Sequence, residues 1–166
     1  DENWNVLSGS EVGEVVIKSP GNMVGYWKNP EATAEVFNDD GWFKSGDLGY
    51  FDGPFLHIVD RVKDLVIRGG ENISCIEVEA AIYEHSDVLE ACIIGIPDER
   101  LGEQVASAVH LKAGLELSQE DIQKFLAGKI AAFKIPFEVR FFKDPLPKIA
   151  SGKFDKPALR EIFSND

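Results

Sequence analysis

Residues 64–111 read DLVIRGGENISCIEVEAAIYEHSDVLEACIIGIPDERLGEQVASAVHL, and this stretch decides the fold. Leu65 to Ile67 is a brief apolar strand, after which Arg68-Gly69-Gly70-Glu71-Asn72 reads as a loop. Ser74 followed by Glu77 has the form of a capping box, opening a helix in which Val78, Ala81 and Ile82 keep helical spacing as far as about His85. Val88 to Ile96 is a strand stopped by Pro97-Asp98. A second strand, Val105 to Leu111, puts Val105, Ser107, Val109 and Leu111 on one face.

On the C-terminal side, Gly114 marks a turn and Ser118 caps a helix with Ile122, Phe125, Leu126 and Ile130 as its buried stripe. Glu138 to Phe142 is a further strand, and a loop from Asp144 to Lys153 leads into a short helix through Pro157 and Leu159. On the N-terminal side the text is β-rich. Glu14 to Ser19 is a strand, and Asn29-Pro30-Glu31 opens a short helix to about Phe37. Leu48 to Phe51 and Phe55 to Val59 form a hairpin through Asp52-Gly53-Pro54. The fold class is α+β: a short β-rich segment, then a module of about 100 residues with a mainly antiparallel sheet covered by helices. The boundary falls in Asp60-Arg61-Val62-Lys63-Asp64, charged and polar between two apolar runs.

The 166 residues are 44% hydrophobic, enough for one or two ordinary cores and too apolar for a disordered chain. Seventeen Lys and Arg against 29 Asp and Glu leave a net charge of −12, which argues against nucleic acid as a partner. Apolar runs such as Ala91-Cys92-Ile93-Ile94 are far short of the roughly 20 residues needed for a transmembrane segment, so none is expected. Cys75 and Cys92 show neither a metal-binding spacing nor a disulfide framework, which fits a reducing, cytoplasmic setting. The opening at Asp1 reads as the middle of a loop, and a piece of a longer protein is expected. Charge is uneven: residues 1–60 hold 11 acids against 3 bases, while residues 124–160 hold nine bases against three acids. That basic run is either a solvated face or a surface for a phosphate-rich small ligand.

Four collinear segments carry a family resemblance: Gly25-Tyr26-Trp27 with Asn29-Pro30-Glu31-Ala32-Thr33; Gly41-Trp42-Phe43-Lys44-Ser45-Gly46-Asp47; Asp60-Arg61-Val62-Lys63-Asp64 through Arg68-Gly69-Gly70-Glu71-Asn72-Ile73; and Leu146-Pro147-Lys148-Ile149-Ala150-Ser151-Gly152-Lys153. Together they span almost the whole chain, and it resembles the C-terminal part of the AMP-forming acyl-CoA synthetases of the adenylate-forming superfamily. The resemblance implies residues 1–60 as the end of a large N-terminal domain, 61–63 as a hinge and 64–166 as a mobile lid. It implies ATP, yielding AMP, and coenzyme A as cofactors, with Mg ligands outside this chain. The implied partners are the missing N-terminal domain and a carboxylic acid, a fatty acid in this reading. The phosphate-binding loop and acyl pocket would lie upstream of Asp1, so the piece alone should be inactive.

The resemblance also implies roles for single residues. Asp47 would accept hydrogen bonds from the ATP ribose hydroxyls, a task for which a carboxylate suits a cis diol; Ser45 stands where threonine is more usual. Arg61 would reach the ribose or phosphates, Ile58 would lie beside the nucleotide, and Lys63 would be the hinge. Lys153 would be catalytic, its ammonium stabilising charge that grows on the α-phosphate as the acyl carboxylate attacks. Gly69 and Gly70 would line the pantetheine tunnel, and Lys134 would meet CoA phosphates. Read without that company, Asp47 is a turn aspartate, Arg61 a surface ion-pair member, Ile58 a core residue, Lys153 a solvated lysine and Gly69-Gly70 a tight turn. Two other functions stay open: a luciferase-like or carrier-protein-loading adenylating enzyme, and a non-catalytic interaction module.

Overall fold

The computed structural model describes residues 1–164, so the last two positions of the expected 64–166 lid lie outside the described residues. The chain divides into two compact units, Asp1–Lys63 and a second beginning at Asp64.

The first unit is a three-stranded antiparallel sheet in the order β1 (Gly13–Ile17), β2 (Phe43–Asp52), β3 (Phe55–Arg61). A single helix, α1 (Pro30–Val36), lies between β1 and β2 in sequence. It starts where Pro30 supplies a preset φ and the Asn29 carboxamide accepts the Ala32 N–H at 3.0 Å. The β2–β3 hairpin is the expected one, turning through Gly53 at φ +56 with Asp52 and Phe55 as its closing pair. β2 is longer than its apolar run suggested, because it continues back through Ser45-Gly46-Asp47.

The second unit is built on a hairpin, β6 (Val88–Asp98) and β7 (Gly102–Leu111), both of whose faces are buried. β6 is one edge of a five-stranded sheet. The other side of β7 is shared by β4 (Val66–Arg68) near its start and by β8 (Glu138–Phe142), the one parallel pairing, along its later half; β5 (Glu71–Ile73) lies outside β4. Alternation then sorts the side chains. Ala91, Ile93, Val105 and Val109 face a core with Val78, Ile82, Ile122 and Leu126 from helices α2 (Cys75–Tyr83) and α3 (Gln119–Leu126). Cys92, Ile94, Ala106 and Ala108 face the opposite core with Leu146 and, from helix α4 (Lys156–Ser164), Leu159 and Phe163. The small residues on the second face leave room for Phe163 and Leu159 to approach the sheet.

Helix starts follow local chemistry. Ser74 accepts the Glu77 N–H at 3.2 Å, but the Glu77 carboxylate is turned to Lys134. The complete reciprocal box is instead at α3, between Ser118 and Asp121. Ile130 lies past the end of α3, although it still packs on the first core. β6 runs through Pro97 to Asp98, which an edge strand tolerates because one side of its backbone needs no partner. Among the described residues no helix is long and apolar enough to cross a membrane.

Ile93 is fully buried between sheet and helices, whereas Leu115 is 44% exposed. Ile93→Ala should lower unfolding free energy by about 2–5 kcal/mol and Leu115→Ala by less than about 0.5 kcal/mol. Urea titration followed by circular dichroism checks this; equal midpoints for the two variants would contradict the layer assignment.

Candidate functional site

In the first unit, Asp47 and Arg61 meet. The β1–β2 register slips so that Ser45, Gly46 and Asp47 together oppose Val15. Gly46 supplies the left-handed φ of +77 that this bulge needs. Ser45 Oγ donates to the Val15 carbonyl at 2.7 Å and accepts the Asp47 N–H at 3.1 Å, and Glu14 accepts the Gly46 N–H at 3.1 Å. Asp47 is therefore held in a strand bulge, not in a turn between strands. Its Cα partner across the ladder is Arg61, whose Nε donates to Asp47 Oδ1 at 3.0 Å. Oδ2 of Asp47 has no partner among the described residues, so one acceptor remains for a ligand. Ile58, on the same strand as Arg61, is 52% exposed in this chain. Lys63 is exposed in a 3-10 turn, Val62–Asp64.

Gly69 and Gly70 form the tip of the β4–β5 hairpin, a connection and strand that the glycines and polar flanks had disguised as a loop. Their φ values of +60 and +88 are the pair that a two-residue primed turn demands. A Cβ at Gly70 would meet open space, and one at Gly69 would come within 3.1 Å of Leu101 Cδ2. The tip is tied to the β6–β7 turn. Gly69 N–H donates to the Leu101 carbonyl at 2.8 Å, Ile67 N–H to Glu103 at 2.8 Å, and Arg68 Nε to Gln104 Oε1 at 2.7 Å. Gln104 in turn donates to Asp98 Oδ2 at 3.3 Å, while Asp98 Oδ1 accepts the N–H groups of Arg100 and Leu101. The bond from Leu101 N–H and its companions hold the Asp98 carboxyl below the usual range.

Lys153 lies on the second arm of a small closed loop, residues 147–155. Asp155 N–H donates to the Pro147 carbonyl at 2.8 Å, Ile149 N–H to the Lys153 carbonyl at 2.9 Å, and Gly152 N–H to the Ile149 carbonyl at 2.9 Å. Lys148 and Phe154 pair across it. Both arms are anchored. On the first, Glu90 of β6 accepts the Leu146 N–H at 2.7 Å with one oxygen and Lys148 Nζ at 2.5 Å with the other. Burial alone would discourage ionisation of Glu90, but Lys148 and the Leu146 N–H outweigh it and hold the carboxyl below the ordinary glutamate range. On the second, Asp155 caps α4 by accepting the Ala158 N–H at 3.1 Å. Lys156, mostly buried, lies 3.6 Å from Asp64 and 3.9 Å from Glu79.

Ion pairs also redefine the basic run. Lys124, Lys129, Lys134, Arg140, Lys148 and Lys156 each face a carboxylate, so among the described residues Lys143, Lys153 and Arg160 are the members without an ion-pair partner. Lys134 is committed to both oxygens of Glu77 at 2.7 Å. Lys143 and Lys153 are both exposed, and Lys153 is the one carried on the anchored loop. Sequence reading missed Glu90, Gln104, Asp98 and Lys156. The available signal was Glu90 itself, an acid embedded in the apolar run Val88 to Ile96. Both cysteines are buried and unbridged; Cys75 Sγ donates to the Asp64 carbonyl, and burial pushes the Cys92 thiol up to about 12.

Residues 77–153 match the family described as the AMP-binding enzyme C-terminal domain. The oxalate–CoA ligase of Arabidopsis thaliana is 43% identical over 164 residues, covering 98% of this chain and 32% of the relative. A long-chain-fatty-acid–CoA ligase of Bacillus subtilis is 41% identical over 162 residues, covering 97% of this chain and 29% of the relative. Among solved structures, ATP-bound MatB from Rhodopseudomonas palustris aligns with a TM-score of 0.89 at 38% identity, covering 96% of this chain and 32% of that one. The chain thus spans about a third of the length of the curated relatives it matches.

Neither Cys75 nor Cys92 should react with a disulfide reagent at pH 8 until urea unfolds the protein, and rapid native labelling would contradict their placement. The Glu90 contribution to stability should be complete above the unfolded glutamate pKa and fade as pH falls through the lowered folded value. Glu90→Gln should therefore flatten the acid limb of a stability–pH curve, and an unchanged limb would contradict the pairing.

Proposed function

We propose that this chain, whose residues 77–153 match the AMP-binding enzyme C-terminal domain family, is the C-terminal third of an AMP-forming acyl-CoA synthetase. The full-length enzyme joins a carboxylate to the α-phosphate of ATP with loss of pyrophosphate, then transfers the acyl group to the thiol of CoA with loss of AMP. Residues 1–60 are the end of the large domain, 61–63 the hinge with Lys63 as pivot, and the remainder the lid. The observation that carries this reading is Lys153, the last residue of the matched segment: its ammonium has no ion-pair partner among the described residues and sits on a loop closed on itself and anchored at both arms.

The chemistry follows from what each group can do. An ammonium beside the α-phosphate gains most when negative charge builds there, so Lys153 stabilises the transition state more than bound ATP. Asp47 uses its free oxygen for a ribose hydroxyl while Arg61 holds the other, leaving the guanidinium face for ribose or phosphate. Ile58, exposed on the same strand, offers apolar surface to the nucleotide. The Gly69-Gly70 tip admits pantetheine close to the backbone, and Lys134 would reach a CoA phosphate by exchanging its Glu77 partner. Among the described residues no group of three or more His, Cys, Asp and Glu could hold a metal ion, and Mg belongs to residues outside this chain in this reading.

The two loops are tethered at opposite ends of one hairpin. Glu90 and Asp98 are eight residues apart on β6, roughly 26 Å at about 3.3 Å per residue. Loops held that far apart on a rigid ladder favour serving one reaction centre in turn, which is why a hinge is part of the proposal.

The substrate class is a carboxylic acid, and a fatty acid is one candidate within it. Relatives named for oxalate and for long-chain fatty acids match at 43% and 41%, which argues that the acid is selected upstream of these residues.

In the full-length protein, Lys153→Ala should slow pyrophosphate release by about 100-fold or more while thioester formation from supplied acyl-adenylate stays within about threefold. Equal loss in both steps would contradict the assignment. Acyl transfer only to a carrier protein or an amine, with none to CoA, would replace the ligase reading.

A further inference from the structure

We propose that Glu90 is a positioning residue for adenylation, acting through the loop that carries Lys153; this rests on the function proposed above. A catalytic ammonium on an exposed loop has a flexible stem of its own, so its backbone must be held if it is to meet one phosphorus atom. The turn inside residues 147–155 makes the loop a unit, but that unit still has to be fixed to the lid.

Glu90 fixes it in a way that no other side chain on β6 can. It stands at a ladder position opposite His110, in a strand whose neighbouring residues Ala91 to Gly95 are all buried. Its side chain is 17% exposed, and both oxygens are spent on the same short segment: one on the Leu146 backbone, the other on the Lys148 ammonium. Leu146 is itself buried in the core beneath α4, so the backbone bond sets the depth at which the loop leaves the sheet. Lys148 pairs across the loop with Phe154, the residue directly after Lys153, and its ammonium lies 5.4 Å from the Phe154 ring centre. A single carboxylate thereby connects the rigid hairpin to both arms of the loop, through Lys148 and Phe154, next to the catalytic side chain. Lys156 secures the far arm to Asp64 and Glu79, so releasing Glu90 frees one end of a loop that stays attached at the other.

A positioning role differs from a merely structural one in how its loss combines with the loss of Lys153. In the full-length enzyme, we would measure pyrophosphate release and, separately, thioester formation from supplied acyl-adenylate for Glu90→Ala, Glu90→Gln, Lys153→Ala and the double variant Glu90→Ala/Lys153→Ala. Glu90→Ala should lower the kcat of pyrophosphate release by about 10- to 100-fold, with the KM for ATP and the thioester step each changed by less than about twofold. Glu90→Gln, which keeps an acceptor for Leu146 but loses the charge facing Lys148, should fall between wild type and Glu90→Ala. The double variant should be no slower than Lys153→Ala to within about twofold, because a misplaced loop costs nothing once the ammonium is gone. Equal loss in both half-reactions, or full multiplication of the two single losses, would overturn the role of Glu90. Unimpaired pyrophosphate release in Lys153→Ala would instead overturn the functional reading beneath it. If Glu90→Ala does not fold, Glu90→Gln in the same cycle with Lys153→Ala decides between these outcomes.

Discussion

The β6–β7 ladder is the constraint on which the second unit depends. Its strands bury both faces, so every residue is committed to one of two cores and a slip of one position would exchange them. Ala91 and Ile93 cannot trade places with Cys92 and Ile94, because one side must receive α2 and α3 and the other α4. A hairpin specified this strongly is a rigid bar, and the two loops that carry the candidate site residues of this unit are fastened near its ends. The glycine tip is held by Asp98, Gln104 and Leu101 at the turn, and the lysine loop by Glu90 at the open end.

The polar network converts a strongly charged surface into structure. A basic run suggested a broad electrostatic patch for a phosphate-rich ligand, but six of its nine members face carboxylates within hydrogen-bonding or near hydrogen-bonding distance. Most exposed pairs of this kind contribute little to stability. Their consequence is to leave Lys143, Lys153 and Arg160 as the members of the run without an ion-pair partner among the described residues. The Asp47–Arg61 pair acts similarly in the first unit. It leaves one Asp47 carboxylate oxygen without a partner among the described residues.

Periodicity made the strongly patterned elements legible: α2 and α3, the long strands, the β2–β3 hairpin and the α+β class were all readable because burial on one face dictates residue type. The elements that escaped were set by geometry instead of apolarity. β5 is three residues long and mostly exposed, and Asp47 was misplaced because a bulge driven by Gly46 looks like a turn in text. Among the candidate site residues, Lys153, Asp47, Arg61 and the glycine pair were proposed through family resemblance alone. Their supports, Glu90, Lys156 and Gln104, were not, since each meets a partner that lies far along the chain: Glu90 and Lys148 are 58 positions apart.

In the function proposed above, the two ends of one rigid hairpin serve different half-reactions. The direct measurement is a pair of rates for full-length Gly70→Val, which disturbs only the glycine end by placing a β-branched side chain at φ +88. Acyl-adenylate formation should persist close to the wild-type rate while transfer to CoA falls at least about tenfold. Loss of both rates together, or retention of both, would contradict the division of labour.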